Sequence, residues 1–232
     1  SNPEHLELRQ AFLLTNSAWI SISLFGSLPF LFSNLNLNFI DAFFESTSGI
    51  TTTGSTIIPN LEQVSYGILL WRALLQWLGG IGIIVMAVAI LPMLSIGGMQ
   101  LFKTESYETP DKIIPRAAIF ASGISIVYIF LTSIWAFMLW LAGMPIFDSI
   151  THAMTTLATG GYSTKSESLG AFNSVNIEMI IVFGMIVGSL PFIHYLSILK
   201  NGWKNLINDQ QVKWFLLILF FLISIVTFNL YI

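Results

Sequence analysis

Long apolar stretches without charged residues dominate the chain. Five of them lack Asp, Glu, Lys and Arg over about the length of a bilayer-spanning helix: 11–40, 73–102, 117–147, 179–199 and 214–232. A spanning helix needs roughly 20 predominantly apolar residues. The pattern therefore predicts an all-α integral membrane protein with spans at about 10–32, 71–94, 116–142, 177–199 and 212–232.

Two shorter segments follow the first and third spans. They read NFIDAFFESTSG (38–49) and IFDSITHAMTTL (146–157). A dozen residues of helix reach about 18 Å, roughly half a bilayer, which predicts re-entrant helices rather than spans. Each segment is followed by a cluster rich in hydroxyl residues and glycine, ITTTGST (50–56) and LATGGYST (157–164).

The two half-length segments and their loops align without a gap at an offset of 107 residues. Three aligned pairs are identical: Asp41 with Asp148, Thr52 with Thr159, and Gly54 with Gly161. Span, half-helix, Thr-Gly loop and span recur in the same order, which indicates an internal repeat. The predicted organisation is a first repeat at 10–94, a cytoplasmic linker at 95–115, a second repeat at 116–199, a cytoplasmic linker at 200–211, and the first span of an incomplete third repeat at 212–232.

The Thr-Gly loops are the candidate functional site. Non-helical backbone at membrane depth is tolerated only where it is buried in protein or lines a wet cavity, and its carbonyl oxygens can then replace the hydration shell of a cation. The negative C-terminal end of each half-helix favours a cation at the same place. The predicted cation-binding residues are Thr51, Thr52, Thr53, Gly54, Ala158, Thr159, Gly160 and Gly161. The alternative is a pair of ordinary surface loops that cap hairpins.

Composition and charge support a membrane location. Only 9% of the residues are charged, against about 25% in soluble domains. Seven of the nine basic residues fall on one side of alternating spans, which predicts a cytoplasmic N-terminus under the positive-inside rule. The three histidines are isolated in sequence and the chain has no cysteine, so we expect no transition-metal site.

Three charged residues have two interpretations each. Asp41 and Asp148 begin the half-helices, where a carboxylate is stabilised by the helix N-terminus; the functional alternative is that they attract cations to the outer mouth of a pore. Arg72 opens the second span either as a snorkelling cation or as a partner of Asp41 or Glu45 behind the loop.

Tyr162 is grouped with the tryptophans near span ends as an interfacial aromatic residue.

Glycines inside the second and fourth spans predict close helix packing. GGIG (79–82) lies in an apolar span, and Gly184 and Gly188 form a GxxxG motif. Small residues let helices approach closely, and a re-entrant loop packed against the second span needs such room.

Several runs resemble the membrane subunit of Trk/Ktr-type potassium transporters, TrkH-like in particular. They are DAFFESTSGITTTGST, LWRALLQWLGGIGIIVMAVAILPMLSIGGMQLF, TLATGGYS, LRQAFLLT and GSLPFIHYL. The resemblance implies four span–pore-loop–span repeats around one pore, with a selectivity-filter glycine from each repeat. Gly54 and Gly161 match the filter glycines of the first two repeats. It also implies potassium uptake across the bacterial cytoplasmic membrane, no enzymatic activity, and gating by a cytosolic nucleotide-binding regulatory subunit of the TrkA/KtrA type.

Only two of the four implied repeats are present, so the sequence predicts a fragment whose partners are the missing C-terminal repeats, the lipid bilayer and K⁺. No bound cofactor and no nucleic acid are expected. One alternative is a cation channel in which a homodimer supplies four loops. The other is a non-conducting scaffold or intramembrane enzyme, for which both loop glycines should tolerate substitution.

Overall fold

The computed structural model describes residues 8–94 and 113–230, and all regular structure in them is helical. The helices are α1 (Leu8–Gly26), α2 (Leu28–Leu31), α3 (Phe39–Ile50), α4 (Tyr66–Leu94), α5 (Ile113–Leu141), α6 (Ile146–Leu157), α7 (Val175–Ser189), α8 (Phe192–Asn201), α9 (Lys204–Asn208) and α10 (Gln210–Leu230). Single 3₁₀ turns occur at Leu61–Gln63 and Ser168–Phe172. The prediction of an all-α membrane fold is confirmed.

Two predicted spans are interrupted. The first is divided between α1 and α2, with Pro29 in the first turn of α2. The fourth stops at Ser189, and α8 begins only after Pro191, because proline has no amide hydrogen for a continuing helix. Three described helices are long and apolar enough to cross a bilayer, at Tyr66–Ile84, Ala121–Leu141 and Gln210–Leu230. Most of the predicted linker at 95–115 lies outside the described residues.

The two half-length helices form as predicted, as α3 and α6 with twelve residues each. The Asn38 side chain caps α3 by accepting a hydrogen bond from the Asp41 amide at 2.9 Å. Helix α3 packs against α1 and α4, while α6 packs against α5, α4 and α7. Both half-helices therefore contact α4, which places the two loops that follow them next to the same helix.

The distribution of side chains is that of a protein in an apolar solvent. Large apolar side chains are exposed on the helix surfaces, including Phe130 at 62% and Phe220 at 74% exposure. Polar side chains are enclosed, among them Glu45, Arg72 and Gln76 at 1% exposure or less. Lipid tails can cover the first group but cannot satisfy the second, so the polar groups face one another inside.

The described residues fall into two compact units with the division between Ser189 and Leu190. The first contains both half-helices, both Thr-Gly loops and α4. In the second, α9 contacts α8 and α10. The candidate site lies wholly in the first unit.

Candidate functional site

The two Thr-Gly loops have the same backbone conformation. Thr52 and Thr159 both have φ of +54°, and Gly54 and Gly161 have φ of +80° and +81°. A left-handed conformation is rare for a β-branched residue and costs on the order of 1–3 kcal/mol. Its occurrence at two threonines 107 positions apart means that the loops repeat a strained geometry as well as a sequence.

Each loop folds back over the end of its half-helix with matched hydrogen bonds. The Thr53 amide donates to the Ser48 carbonyl at 2.9 Å, and the Gly160 amide donates to the Thr155 carbonyl at the same distance. These four residues are two pairs at the repeat offset of 107. The last carbonyl groups of a helix have no partner within the helix. In each half-helix, one of these carbonyls accepts a hydrogen bond from an amide of the loop that follows.

The loops differ in how many carbonyl oxygens remain available. Those of Thr51, Thr52, Thr53 and Gly54 accept no hydrogen bond from the residues that the structure describes. In the second loop, the Ala158 carbonyl accepts one from the Thr159 hydroxyl and the Gly160 carbonyl accepts one from Gln76. Within the same described ranges, the carbonyls of Thr159 and Gly161 accept none.

Glycine permits close approach at several points, as the sequence predicts. A Cβ at Gly54 would collide with the Gly160 carbonyl oxygen, so the two loops touch there. A Cβ at Gly79 would collide with the Ile50 carbonyl at the end of α3. A Cβ at Gly184 would collide with the Trp135 indole, and one at Gly188 would lie 2.9 Å from the Leu157 carbonyl oxygen.

Arg72 is a buried partner of Glu45 and not a snorkelling cation. Its Nε lies 2.8 Å from Glu45 Oε1, and the exposed fractions of the two side chains are 1% and 0%. Of the two partners predicted for Arg72, Glu45 is correct. Arg72 Nη1 also donates to the Ser163 carbonyl at 2.9 Å. The arginine thereby joins the first half-helix to the segment that follows the second loop.

Tyr162 is part of the same buried network, so its assignment to an interfacial belt is wrong. It is 4% exposed, and the Arg72 guanidinium lies 4.1 Å from its ring centre. Its hydroxyl donates to the Glu45 carbonyl at 2.9 Å, with the Ser55 carbonyl at 3.3 Å. Tyr162 directly follows Gly161 in sequence, and its side chain points inward, where it contacts the Arg72 guanidinium and two backbone carbonyls.

Positions 45 and 152 are equivalent in the repeat, and their different side chains make the equivalent hydrogen bond to a hydroxyl group. Glu45 accepts a hydrogen bond from the Thr56 hydroxyl at 2.9 Å. His152 Nε2 lies 3.0 Å from the Ser163 hydroxyl, at the position equivalent to Thr56. Each half-helix is therefore joined by a hydrogen bond to a residue eleven positions further on, in the segment that follows its own loop. A search for identical residues at the repeat offset misses this pair.

The two predicted mouth carboxylates lie in the first turns of α3 and α6. Asp41 accepts from the Asn38 side-chain amide at 2.7 Å. Asp148 is 5% exposed and accepts from the Thr164 hydroxyl at 2.6 Å, with Lys165 Nζ at 3.9 Å. Both positions agree with stabilisation by a helix N-terminus; an outer-mouth role stays a prediction.

A cavity of about 300 Å³ adjoins the second loop. Its lining includes His152, Thr159 and Gly161 from the α6 side and Ile181 and Met185 from α7. Backbone and hydroxyl groups of the loop thus border open space within the first unit, as expected of irregular backbone at membrane depth.

The segments that lead from the two Thr-Gly loops to α4 and α7 are also joined. Glu62 accepts from the Ser166 amide at 2.8 Å and from the Ser166 hydroxyl at 2.6 Å. The Leu61 amide donates to the same hydroxyl at 3.0 Å. Hydrogen bonding from Ser166 holds the pKa of the Glu62 carboxyl below its ordinary value.

Sequence reasoning missed Gln76 and left Glu45 without a role beyond that of a candidate partner for Arg72. A signal for both exists in the chain, because polar and charged residues within apolar membrane segments mark functional positions by default. Gln76 is the fourth residue of the charge-free run 73–102 that contains most of the second span. What the pattern does not contain is the long-range pairing of Gln76 with residues 84 and 86 positions away.

Two re-entrant helix–loop units held by a buried polar network, with apolar outer surfaces, define a multi-pass membrane protein of the pore-loop class. The chain belongs to the TrkH family, because the family model described as "TrkH: Cation transport protein" matches residues 1–232. This is a family of transport proteins and not of enzymes.

Curated relatives are similar over nearly the whole chain. The Trk system potassium uptake protein TrkI of Halomonas elongata is 43% identical over 228 residues, which cover 97% of this chain and 46% of the relative. The Trk system potassium uptake protein TrkH of Escherichia coli K12 is 41% identical over 230 residues, covering 97% and 48%. The chain therefore spans about half the length of these relatives.

A solved structure also supports the assignment to the TrkH family. The crystal structure of the potassium transporter TrkH from Vibrio parahaemolyticus matches with a TM-score of 0.82 at 39% identity, covering 96% of this chain and 46% of that one.

Proposed function

We propose that this chain supplies two of the four pore loops of a potassium-uptake subunit in the bacterial cytoplasmic membrane. The similarity to proteins named for potassium uptake supports the choice of ion. The membrane potential favours inward movement of a cation by about 2.3 kcal/mol per charge per 100 mV, so uptake needs no chemical step. The N-terminus is cytoplasmic in this proposal, and a cytosolic nucleotide-binding subunit of the TrkA/KtrA type gates the complete pore.

One observation carries the proposal: two loops of equal strained conformation present carbonyl oxygens without hydrogen bonds in the described part of the chain. Such oxygens are free to coordinate a dehydrated cation in place of its hydration shell. The proposed ligands are backbone carbonyls of Thr51, Thr52, Thr53 and Gly54 and of Ala158, Thr159, Gly160 and Gly161. The Gly160 and Ala158 carbonyls each already accept one hydrogen bond, which leaves one lone pair on each for the ion.

Substitution of Gly54 tests the proposal in the full-length product of the gene, expressed in bacteria that lack potassium uptake. Gly54→Ser places a Cβ against the Gly160 carbonyl and removes the residue suited to φ of +80°. We expect the variant to lose its preference for K⁺ over Na⁺ in an ion-flux assay.

Gly143→Ser is the matched control. Gly143 also has positive φ, +97°, but nothing lies within 4 Å of the added Cβ. The backbone strain is therefore similar while the filter loops are untouched, and we expect selectivity to be retained. If Gly54→Ser reaches the membrane and keeps its selectivity, the filter assignment fails and a scaffold function is favoured.

A further inference from the structure

We propose that Gln76 is a positioning residue for ion selectivity. Its side-chain amide reaches from the span of the first repeat to the loop of the second and sets the direction of the Gly160 carbonyl beside both filter glycines. The inference rests on the proposed potassium-uptake function and adds to it a residue that lies outside both loops.

The contacts of Gln76 use both ends of its amide. Nε2 donates to the Gly160 carbonyl at 2.8 Å, and Oε1 accepts from the Tyr162 amide at 3.0 Å. The side chain is 0% exposed. Because a carbonyl needs a donor and an amide hydrogen needs an acceptor, only one orientation of the side-chain amide satisfies both partners. The two backbone groups on either side of Gly161 are thereby fixed by one side chain.

The Gly160 carbonyl is also the place where the two loops touch. A Cβ at Gly54 would collide with this oxygen, and a Cβ at Gly160 would collide with the Gln76 amide. Gln76, Gly160 and Gly54 are therefore packed in series without room for a methyl group. A rotation of the Gly160 peptide would displace the first filter glycine as well as the second.

This arrangement is confined to one of the two repeats. Gly79 and Gly188 make the same contact with the carbonyls that end the two half-helices, so the position equivalent to Gln76 in the second repeat is Met185, which is 52% exposed and has no amide. General repeat packing therefore does not explain the amide, whereas a requirement to hold the second loop does.

Two substitutions of Gln76 separate positioning from packing. At alkaline pH, where the introduced carboxyl is ionised, Gln76→Glu has the same shape and still accepts from the Tyr162 amide, but it cannot donate to the Gly160 carbonyl and places oxygen against oxygen. Gln76→Met has similar length and flexibility and makes neither hydrogen bond. In the full-length protein we expect both variants to lower the K⁺/Na⁺ flux ratio about tenfold, the factor for one lost buried hydrogen bond of about 1.4 kcal/mol.

Thr132→Val is the control for a lost buried hydrogen bond. Thr132 is 8% exposed, and its hydroxyl accepts a hydrogen bond from the Trp77 indole at 3.1 Å. Trp77 is next to Gln76 in sequence, but this hydrogen bond lies away from both loops. This variant should keep the flux ratio of the unmodified protein. Wild-type selectivity in Gln76→Glu and Gln76→Met, at normal amounts in the membrane, would overturn the inference.

A comparison with Gly54→Ser distinguishes the two levels of the proposal. If Gly54→Ser loses selectivity and the Gln76 variants keep it, only the positioning inference fails. If all three keep it, the filter assignment itself fails.

Hydrogen exchange tests the inference without any variant. In the intact protein, the Tyr162 amide should be as protected from exchange as the amides of α6. Rapid exchange at Tyr162 would contradict the fixed amide bridge even where a Gln76 variant does not accumulate.

Discussion

At the scale of single residues, the ion pair between Glu45 and Arg72 shows how a membrane protein keeps charge inside. Its Nε–Oε1 distance is 2.8 Å and neither side chain reaches the surface. The remaining oxygen of Glu45 lies 3.1 Å from the Ile57 amide, which donates to it. Neutral replacement of one partner leaves the other charged and enclosed, which is far more costly than the absence of the whole pair.

A pair of substitutions on the same half-helix tests this. Glu45→Gln should reduce the free energy of unfolding by about 3–5 kcal/mol, because Arg72 is left buried without its counter-ion. Asp41→Asn should reduce it by only about 0.3–1 kcal/mol, because Asp41 interacts with the helix N-terminus and Asn38 at a partly open position. Thermal unfolding in detergent gives the order of the two midpoints, and equal midpoints would contradict a structural role for the buried pair.

At the scale of elements, hydrophobic pattern and length predict the half-helices closely but not the details that make them a site. The segments 38–49 and 146–157 become α3 (Phe39–Ile50) and α6 (Ile146–Leu157) because length and a mostly uncharged composition determine such helices. The inward turn of Tyr162 depends on contacts 86 and 117 residues away. The left-handed φ of Thr52 and Thr159 is a conformation that β-branched residues rarely adopt. Local propensity opposes both, so no local pattern indicates them.

Helix α4 allows the packing of the loops to be tested with two glycines three residues apart. A Cβ at Gly79 would collide with the Ile50 carbonyl, whereas nothing lies within 4 Å of a Cβ at Gly82. Gly82→Ala should therefore stabilise the helix by up to about 1 kcal/mol through propensity alone. Gly79→Ala should destabilise the protein, since the end of α3 must move. Opposite shifts of the thermal midpoint are expected, and a rise for Gly79→Ala would rule out the close contact.

At the scale of the whole first unit, the two repeats are joined at two depths. The inner connection consists of Arg72, Gln76 and Tyr162, which are buried and use short contacts across 84 residues or more. The outer connection is Glu62 with Ser166, which is exposed and 104 residues apart. The inner one excludes water and should depend little on conditions outside the membrane. The outer one is open to the surrounding solution and should respond to its pH.

The outer connection predicts a loss of stability in acid. Because the pKa of Glu62 is lowered by hydrogen bonds from Ser166, its carboxylate favours the folded state above the ordinary carboxyl pKa, and this contribution disappears as the pH falls through the lowered value. Glu62→Gln removes the titration. Unmodified protein should therefore unfold at a higher temperature than Glu62→Gln at neutral pH, and the difference should shrink once the pH falls below the ordinary carboxyl pKa and disappear below the lowered pKa of Glu62. A difference that persists unchanged in acid would show that the two repeats are held together at their outer ends by the neutral hydrogen bonds of Ser166 and not by the charge of Glu62.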